Sequence, residues 1–169
     1  MTKSEAETRR EFIDKQLAQS GWNVEDPTQV VEKFDILAPL PEGVAEPRTR
    51  YEGHQFSDYV LLGKDGKPLA VVEAKKSSKD AAIGREQAKQ YCHNIQARHN
   101  GELPFCFYTN GHEIFYWNLG EAPPQRVHGF PTRQDLERLL YIRKHKRPLG
   151  ARIISPLSPL FSSFSTLVS

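Results

Sequence analysis

The chain has 169 residues, enough for one domain with a substantial hydrophobic core, and a formal net charge of +2. A balance so close to neutral gives no support for nucleic-acid binding through global charge, so any such contact must be local. No signal peptide and no apolar run of about 18 residues is present, and Cys92 and Cys106 lack metal-ligand spacing, which favours a reduced cytoplasmic protein without a membrane partner.

The N-terminal segment predicts a helix. Ser4 and Glu7 fit a capping box, and an apolar stripe continues to about Gly21. Glu5 falls at the edge of that stripe, so it is a candidate for a third acidic residue facing a site. The alternative is an ordinary acidic residue of a first helical turn, where the helix dipole favours negative charge.

Three strands follow in the prediction. Residues 29–37 are predicted to form the strand that opens the sheet. Residues 56–62 and 69–75 are short, apolar and rich in β-formers, and the turn sequence Gly-Lys-Asp-Gly-Lys-Pro separates them. This pattern indicates a β-hairpin.

The hairpin sets a register for its charged residues. If Asp65 and Gly66 are the central residues of a type I′ turn, Asp58 lies directly opposite Glu73, and Lys75 shares their face. Charged groups in an apolar setting are costly unless they are paired or bind a metal.

Two close carboxylates repel each other, and a hard divalent cation with oxygen ligands relieves that repulsion. We therefore predict a Mg²⁺ site, which Mn²⁺ could also occupy, held by Asp58, Glu73 and the Ala74 carbonyl. The alternative is a structural salt bridge between one carboxylate and Lys75.

The second half of the chain predicts a helix at 85–98, a hairpin of residues 105–109 and 112–119, and a last helix that Thr132 caps. The first of these helices has a buried face formed by Ala88, Tyr91, Cys92 and Ile95. The last helix is expected to direct Leu136, Leu139 and Leu140 inward. Gln87 and Tyr91, at i and i+4, stand on one side of their helix, although such a pair is also common in cores.

These residues carry a resemblance to a known family. The order αβββαβ, with an Asp on the second strand and Glu-x-Lys on the third, looks like the PD-(D/E)xK nuclease superfamily. The closer resemblance, over residues 3 to 148, is to the N-terminal nuclease domain of the restriction (R) subunit of type I restriction-modification enzymes. It rests on six segments in order: SEAETRREFID, QLAQSGW, FSDYVLL, PLAVVEAKK, EQAKQY and YTNGHEI.

The resemblance implies a restriction-endonuclease-like α/β fold with a mixed central sheet flanked by helices. It gives Asp58 and Glu73 the role of metal ligands and Lys75 that of the catalytic lysine. It makes Gln87 and Tyr91 the QxxxY motif associated with DNA engagement. A local cluster of cations could meet DNA phosphates, although such a run is also typical of a solvated helix face: Lys75, Lys76, Lys79, Arg85 and Lys89.

The implied activity is that of a type I site-specific deoxyribonuclease, with double-stranded DNA as substrate and the modification (M) and specificity (S) subunits as partners in defence against foreign DNA. Full-length R subunits also use ATP to translocate DNA. The Gly-Lys pairs here lack the remaining Gly and Ser/Thr of a Walker A loop, so no ATP site is expected.

We expect residues 1–148 to form the nuclease domain. The Ser-rich residues 149–169 resemble nothing in the family and are expected to be a disordered or out-of-frame tail of a truncated subunit, or a cloning scar. Two other functions stay open: a catalytically silent nuclease fold that serves as a remnant or protein-interaction module, and a free-standing homing-type or repair nuclease.

Overall fold

The computed structural model describes residues 5–37, 54–76, 79–99 and 101–146. The chain forms two compact units, Met1–Glu137 and Arg138–Ser169. The first unit contains the sheet and all the predicted site residues. The predicted tail, 149–169, and the predicted capping residue Ser4 lie outside the described residues.

The first unit is built on one six-stranded sheet, whose strands lie in the order β1 to β6. Strands β3 and β4 pair in parallel, and the other neighbours pair antiparallel, so the prediction of a mixed sheet is confirmed. The strands are β1 Val30–Leu37, β2 His54–Leu62, β3 Pro68–Ala74, β4 Phe105–Thr109, β5 Ile114–Trp117 and β6 Gln125–Val127.

Helices occur where the sequence predicts them, with two irregularities. The N-terminal helix is interrupted by a π-helical stretch between its two α-helical parts, and a 3₁₀ turn precedes the central helix. The helical segments are α1 Glu5–Thr8, the π-helix Arg9–Ile13, α2 Asp14–Gln19, the 3₁₀ turn Ala81–Gly84, α3 Arg85–His99 and α4 Arg133–His145. Among the described residues, no helix is both long and apolar enough to cross a membrane.

Helix α3 covers one face of the sheet. Its predicted buried face is confirmed, since Ala88, Tyr91, Cys92 and Ile95 are all buried and join a core cluster with strand residues such as Val60. Alternation along β2 directs Tyr59 to the other face, where its hydroxyl donates to Asp14 Oδ1 of α2 at 2.6 Å. The two sides of β2 therefore face different helices, and the side that carries Asp58 and Val60 faces α3.

The β2–β3 turn differs from the prediction. A type I′ turn needs a positive φ at both central residues, yet only Gly66 has one, at 73°. Gly63 N–H donates to Lys67 O at 2.9 Å, so three residues form the loop. A register shift between Leu61 and Leu62 compensates for the extra loop residue. The turn prediction was wrong, while the register derived from it is correct between the pairs Tyr59–Val72 and Leu61–Ala70.

The C-terminal half agrees with the prediction in most respects. Thr132 Oγ1 accepts from Asp135 N at 3.1 Å, which confirms the helix cap. Leu136 is fully buried, whereas Leu139 is 37% exposed, so its predicted inward position is wrong. Strand β6 was not predicted, because a three-residue edge strand carries too short a pattern to detect.

Candidate active site

Asp58 lies at the point where β2 and β3 separate. The pairing of Tyr59 with Val72 has the predicted register, and extending it by one residue sets Asp58 opposite Glu73. Asp58 Oδ2 accepts a hydrogen bond from Ala74 N at 2.8 Å. This bond ties the aspartate to the neighbouring strand, so its position is fixed by backbone geometry rather than by rotamer preference alone.

Glu73 is a carboxylate inside the apolar strand β3. Its side chain is only 3% exposed, and its Oε1 lies 2.9 Å from Lys75 Nζ, whose side chain is 15% exposed. Burial of both groups requires such a partner, because an isolated charge loses its hydration without compensation. Lys75 N–H donates to Thr109 O at 2.8 Å, which holds the backbone just beyond β3 against β4.

Helix α3 supplies a second contact to the lysine. Lys75 Nζ donates to Gln87 Oε1 at 2.8 Å, and Gln87 Nε2 donates to the Tyr91 hydroxyl. An ammonium can only donate, so the amide oxygen must face Lys75 and the amide nitrogen must face Tyr91. The i and i+4 spacing on α3 thus produces a chain of contacts from Tyr91 through Gln87 and Lys75 to Glu73.

Tyr91 is the buried end of this chain. Its side chain belongs to the core beneath α3, and burial raises the pKa of its phenol above the usual value, with the hydrogen bond from Gln87 acting in the opposite direction. A neutral phenol held in the core makes a fixed anchor for the Gln87 amide. The structure therefore brings Gln87 to the lysine and Tyr91 to Gln87.

Gly84 is a site residue that sequence reasoning missed. A Cβ built there would lie 3.3 Å from Glu73 Cγ and 3.4 Å from Lys75 Cε and Cγ. The 3₁₀ turn that carries Gly84 is capped by Asp80, whose Oδ1 accepts from Ala82 N at 2.9 Å. The available signal was a glycine immediately before the helix that bears Gln87, where close approach of backbone to side chains calls for the absence of a Cβ.

The side chain of Asn110 holds two parts of the chain together, in addition to its predicted role in the β4–β5 hairpin turn. It is 7% exposed, its Oδ1 accepts from His112 N and Glu113 N within the turn, and its Nδ2 donates to Lys79 O at 2.9 Å. The same side chain therefore forms the β4–β5 turn and fixes the chain that follows the site.

The predicted cations differ in their surroundings. Lys76 and Lys79 are exposed. Arg85 pairs with Glu86 at 3.1 Å, and Lys89 Nζ lies 5.6 Å from the centroid of the Trp117 ring. Lys76 is thus an exposed cation next to the buried cluster, whereas the two cations on α3 have contacts within the domain.

Glu5 begins α1, but its side chain lies outside the described residues, so its predicted part in the site stays a prediction. Within the described ranges, no group of three or more His, Cys, Asp and Glu side chains is arranged to hold a metal ion. The oxygen donors that could hold a metal here are the two carboxylates of Asp58 and Glu73, together with a backbone carbonyl such as that of Ala74. These are hard oxygen donors of the kind and number that Mg²⁺ takes from proteins, so the residues present fit this ion.

The fold is similar to that of one class of protein, the R subunits of type I restriction enzymes. A solved fragment described as a putative HsdR subunit of a type I restriction enzyme from Vibrio vulnificus YJ016 is similar to 83% of the chain, with 29% sequence identity and a TM-score of 0.64. The chain spans 26% of the length of that structure.

A family model gives the particular region. Residues 44–125 match the family described as the type I restriction enzyme R protein N terminus. Both findings confirm the recognition made from the sequence, which was a resemblance to the N-terminal region of such an R subunit. No curated protein matches the chain.

Proposed function

We propose that the chain is a Mg²⁺-dependent DNA endonuclease domain of the PD-(D/E)xK type, which hydrolyses phosphodiesters of double-stranded DNA. The observation that carries the proposal is the buried contact of Lys75 with both Glu73 and Gln87, beside the backbone-anchored Asp58. In the assembled enzyme, the M and S subunits would be its partners.

Asp58 and Glu73 would hold the metal, with the Ala74 carbonyl as a third donor. When bound, Mg²⁺ would lower the pKa of a coordinated water and offset the charge of the phosphate. The Ala74 N–H bond restrains the Asp58 carboxylate, so little reorganisation would be needed when it binds a cation.

Lys75 would position the attacking water and stabilise negative charge that develops on the phosphate. Its ammonium is held at 2.9 Å from Glu73 and 2.8 Å from Gln87, in a setting only 15% exposed. An ammonium fixed in this way interacts more strongly with a developing charge than a solvated one, since less water screens it. Gln87 and Tyr91 act through Lys75 and are therefore positioning residues.

Lys76 would contact DNA phosphates outside the buried cluster. Its exposure and its position one residue beyond Lys75 support this role. A cation there would add to affinity without reading sequence, because phosphate contacts are the same for all bases.

The test is Mg²⁺-dependent cleavage of duplex DNA by the full chain and by three variants, Asp58→Asn, Glu73→Gln and Lys75→Met. Each should abolish cleavage while the fold is retained. The control is Asp65→Asn, at an exposed carboxylate of the β2–β3 turn, which should cleave like the original chain. Undiminished cleavage in all three site variants would refute this assignment.

A catalytically silent fold is the second candidate, since a buried Glu73–Lys75 pair is also what a structural ion pair requires. Calorimetry with Mn²⁺ and Mg²⁺ separates the two. Binding that is lost in Asp58→Asn supports the nuclease, and no binding at millimolar metal supports the silent fold.

A further inference from the structure

Lys33 has an unusual backbone conformation for a residue within a strand. Its φ is 49°, and it is the one non-glycine residue with a positive φ in the part of the chain that the structure describes. Lysine gains nothing locally from this conformation, unlike Asn or Asp, whose short side chains can bond to the backbone. Backbone strain of this kind persists only where the surrounding fold imposes it, and it clusters at functional sites.

The strained residue lies directly across from Asp58. In the β1–β2 ladder, Glu32 pairs with Tyr59 and Phe34 pairs with Ser57, so the intervening position sets Lys33 opposite Asp58. The register is the same on both sides of this point. The unusual backbone of Lys33 therefore inserts no extra residue into β1. It interrupts the strand pairing only opposite Asp58, the proposed metal ligand.

An open cleft of about 420 Å³ lies at this interruption. Its described lining consists of Lys33, Phe56, Ser57 and Asp58. Phe56 is 46% exposed, and Lys33 is also exposed. The cleft thus has a cation, an aromatic surface and the aspartate of the candidate site.

We propose that Lys33 binds the DNA phosphate adjoining the scissile one, with the sugar of that nucleotide against Phe56. This inference rests on the proposed function, and it adds a substrate-positioning residue from β1, a strand that the motif-based assignment leaves out. A phosphate fits the lysine because a compact ammonium can pair with either non-bridging phosphate oxygen without strict orientation. Since Asp58 lines this cleft and also accepts from Ala74 of β3, a strand bound here would pass directly from Lys33 to the carboxylates.

The test compares Lys33→Asn and Lys33→Arg in the full chain. Asparagine tolerates the left-handed conformation but removes the cation, so the fold should be kept. Affinity for a short DNA duplex is measured in EDTA, where no metal-dependent cleavage occurs, over a series of salt concentrations. Lys33→Asn should bind more weakly to duplexes of any sequence, and its slope of log K against log salt should be shallower by about one. Lys33→Arg should retain the slope.

Lys67→Asn is the matched control, because it removes an exposed lysine at the β2–β3 turn, where the side chain is 79% exposed. It should leave the slope unchanged. The inference is overturned if Lys33→Asn keeps the original affinity and slope, or if the original chain binds no duplex at all. The first result leaves the nuclease assignment standing, since that depends on cleavage by the Asp58, Glu73 and Lys75 variants.

Discussion

Adding one methyl group at Gly84 is expected to disturb the candidate site at a cost in stability of at most about 2.5 kcal/mol. The new Cβ of Gly84→Ala would lie 3.3 Å from Glu73 Cγ and 3.4 Å from Lys75 Cε. Carbon atoms prefer separations of about 3.5 to 4.0 Å, so both side chains must move by a few tenths of an ångström. The Lys75 bonds to Glu73 and Gln87, now 2.9 and 2.8 Å long, would be strained or lengthened.

The stability change is a difference of two terms. Overpacking costs about 1 to 3 kcal/mol, while replacing glycine by alanine before a helix gains about 0.5 to 1 kcal/mol. The net destabilisation should therefore lie between about 0 and 2.5 kcal/mol. A misplacement of reacting groups by about 1 Å costs about a hundredfold in rate, so a shift of about half that size should lower kcat/KM roughly tenfold.

Urea unfolding measures the first quantity and Mg²⁺-dependent duplex cleavage measures the second. Gly129→Ala is the matched control, because a Cβ at Gly129 meets no atom within 4 Å. It should change neither quantity appreciably. If Gly84→Ala cleaves DNA as fast as Gly129→Ala, the close packing of Gly84 on Glu73 and Lys75 does not control the geometry of the site.

Two further predictions concern the residues behind Lys75. Gln87→Leu should cost about 1.5 to 3 kcal/mol in urea unfolding and most of the cleavage activity, because the Lys75 ammonium loses its Gln87 acceptor and keeps Glu73. Tyr91→Phe, which spares the bond between Lys75 and Gln87, should cost only about 0.5 to 1.5 kcal/mol. Equal losses of activity in the two variants would contradict the order of contacts. Burial raises the pKa of Tyr91 above its ordinary value of 10.0, so the unfolded chain loses the proton first as pH rises. The stability that the buried neutral phenol contributes should be intact below pH 10 and should fall as pH rises above it. The ultraviolet titration of Tyr91, taken as the difference from Tyr91→Phe, should have its midpoint above pH 10. A midpoint at or below 10 would be inconsistent with the burial of the phenol.

The sequence by itself determined most of the elements and their main register. Periodicity found the buried face of α3, and strand alternation placed Glu73 and Lys75 on one face with Asp58, because both depend on local geometry that repeats every few residues. Even the register of Asp58 with Glu73 followed from the hairpin, although the turn type was wrong and a bulge corrected it.

Only the tertiary structure decided which groups touch Lys75. Its contacts with Gln87, and the approach of Gly84 to both charged side chains, join residues of β3 to the 3₁₀ turn and α3. Nothing local encodes how a helix sits on a sheet, since that depends on the packing of the whole core. The same holds for Lys33, whose strain and position opposite Asp58 arise from strand pairing across a long connection, and a lone lysine in a strand pattern gives no sign of either.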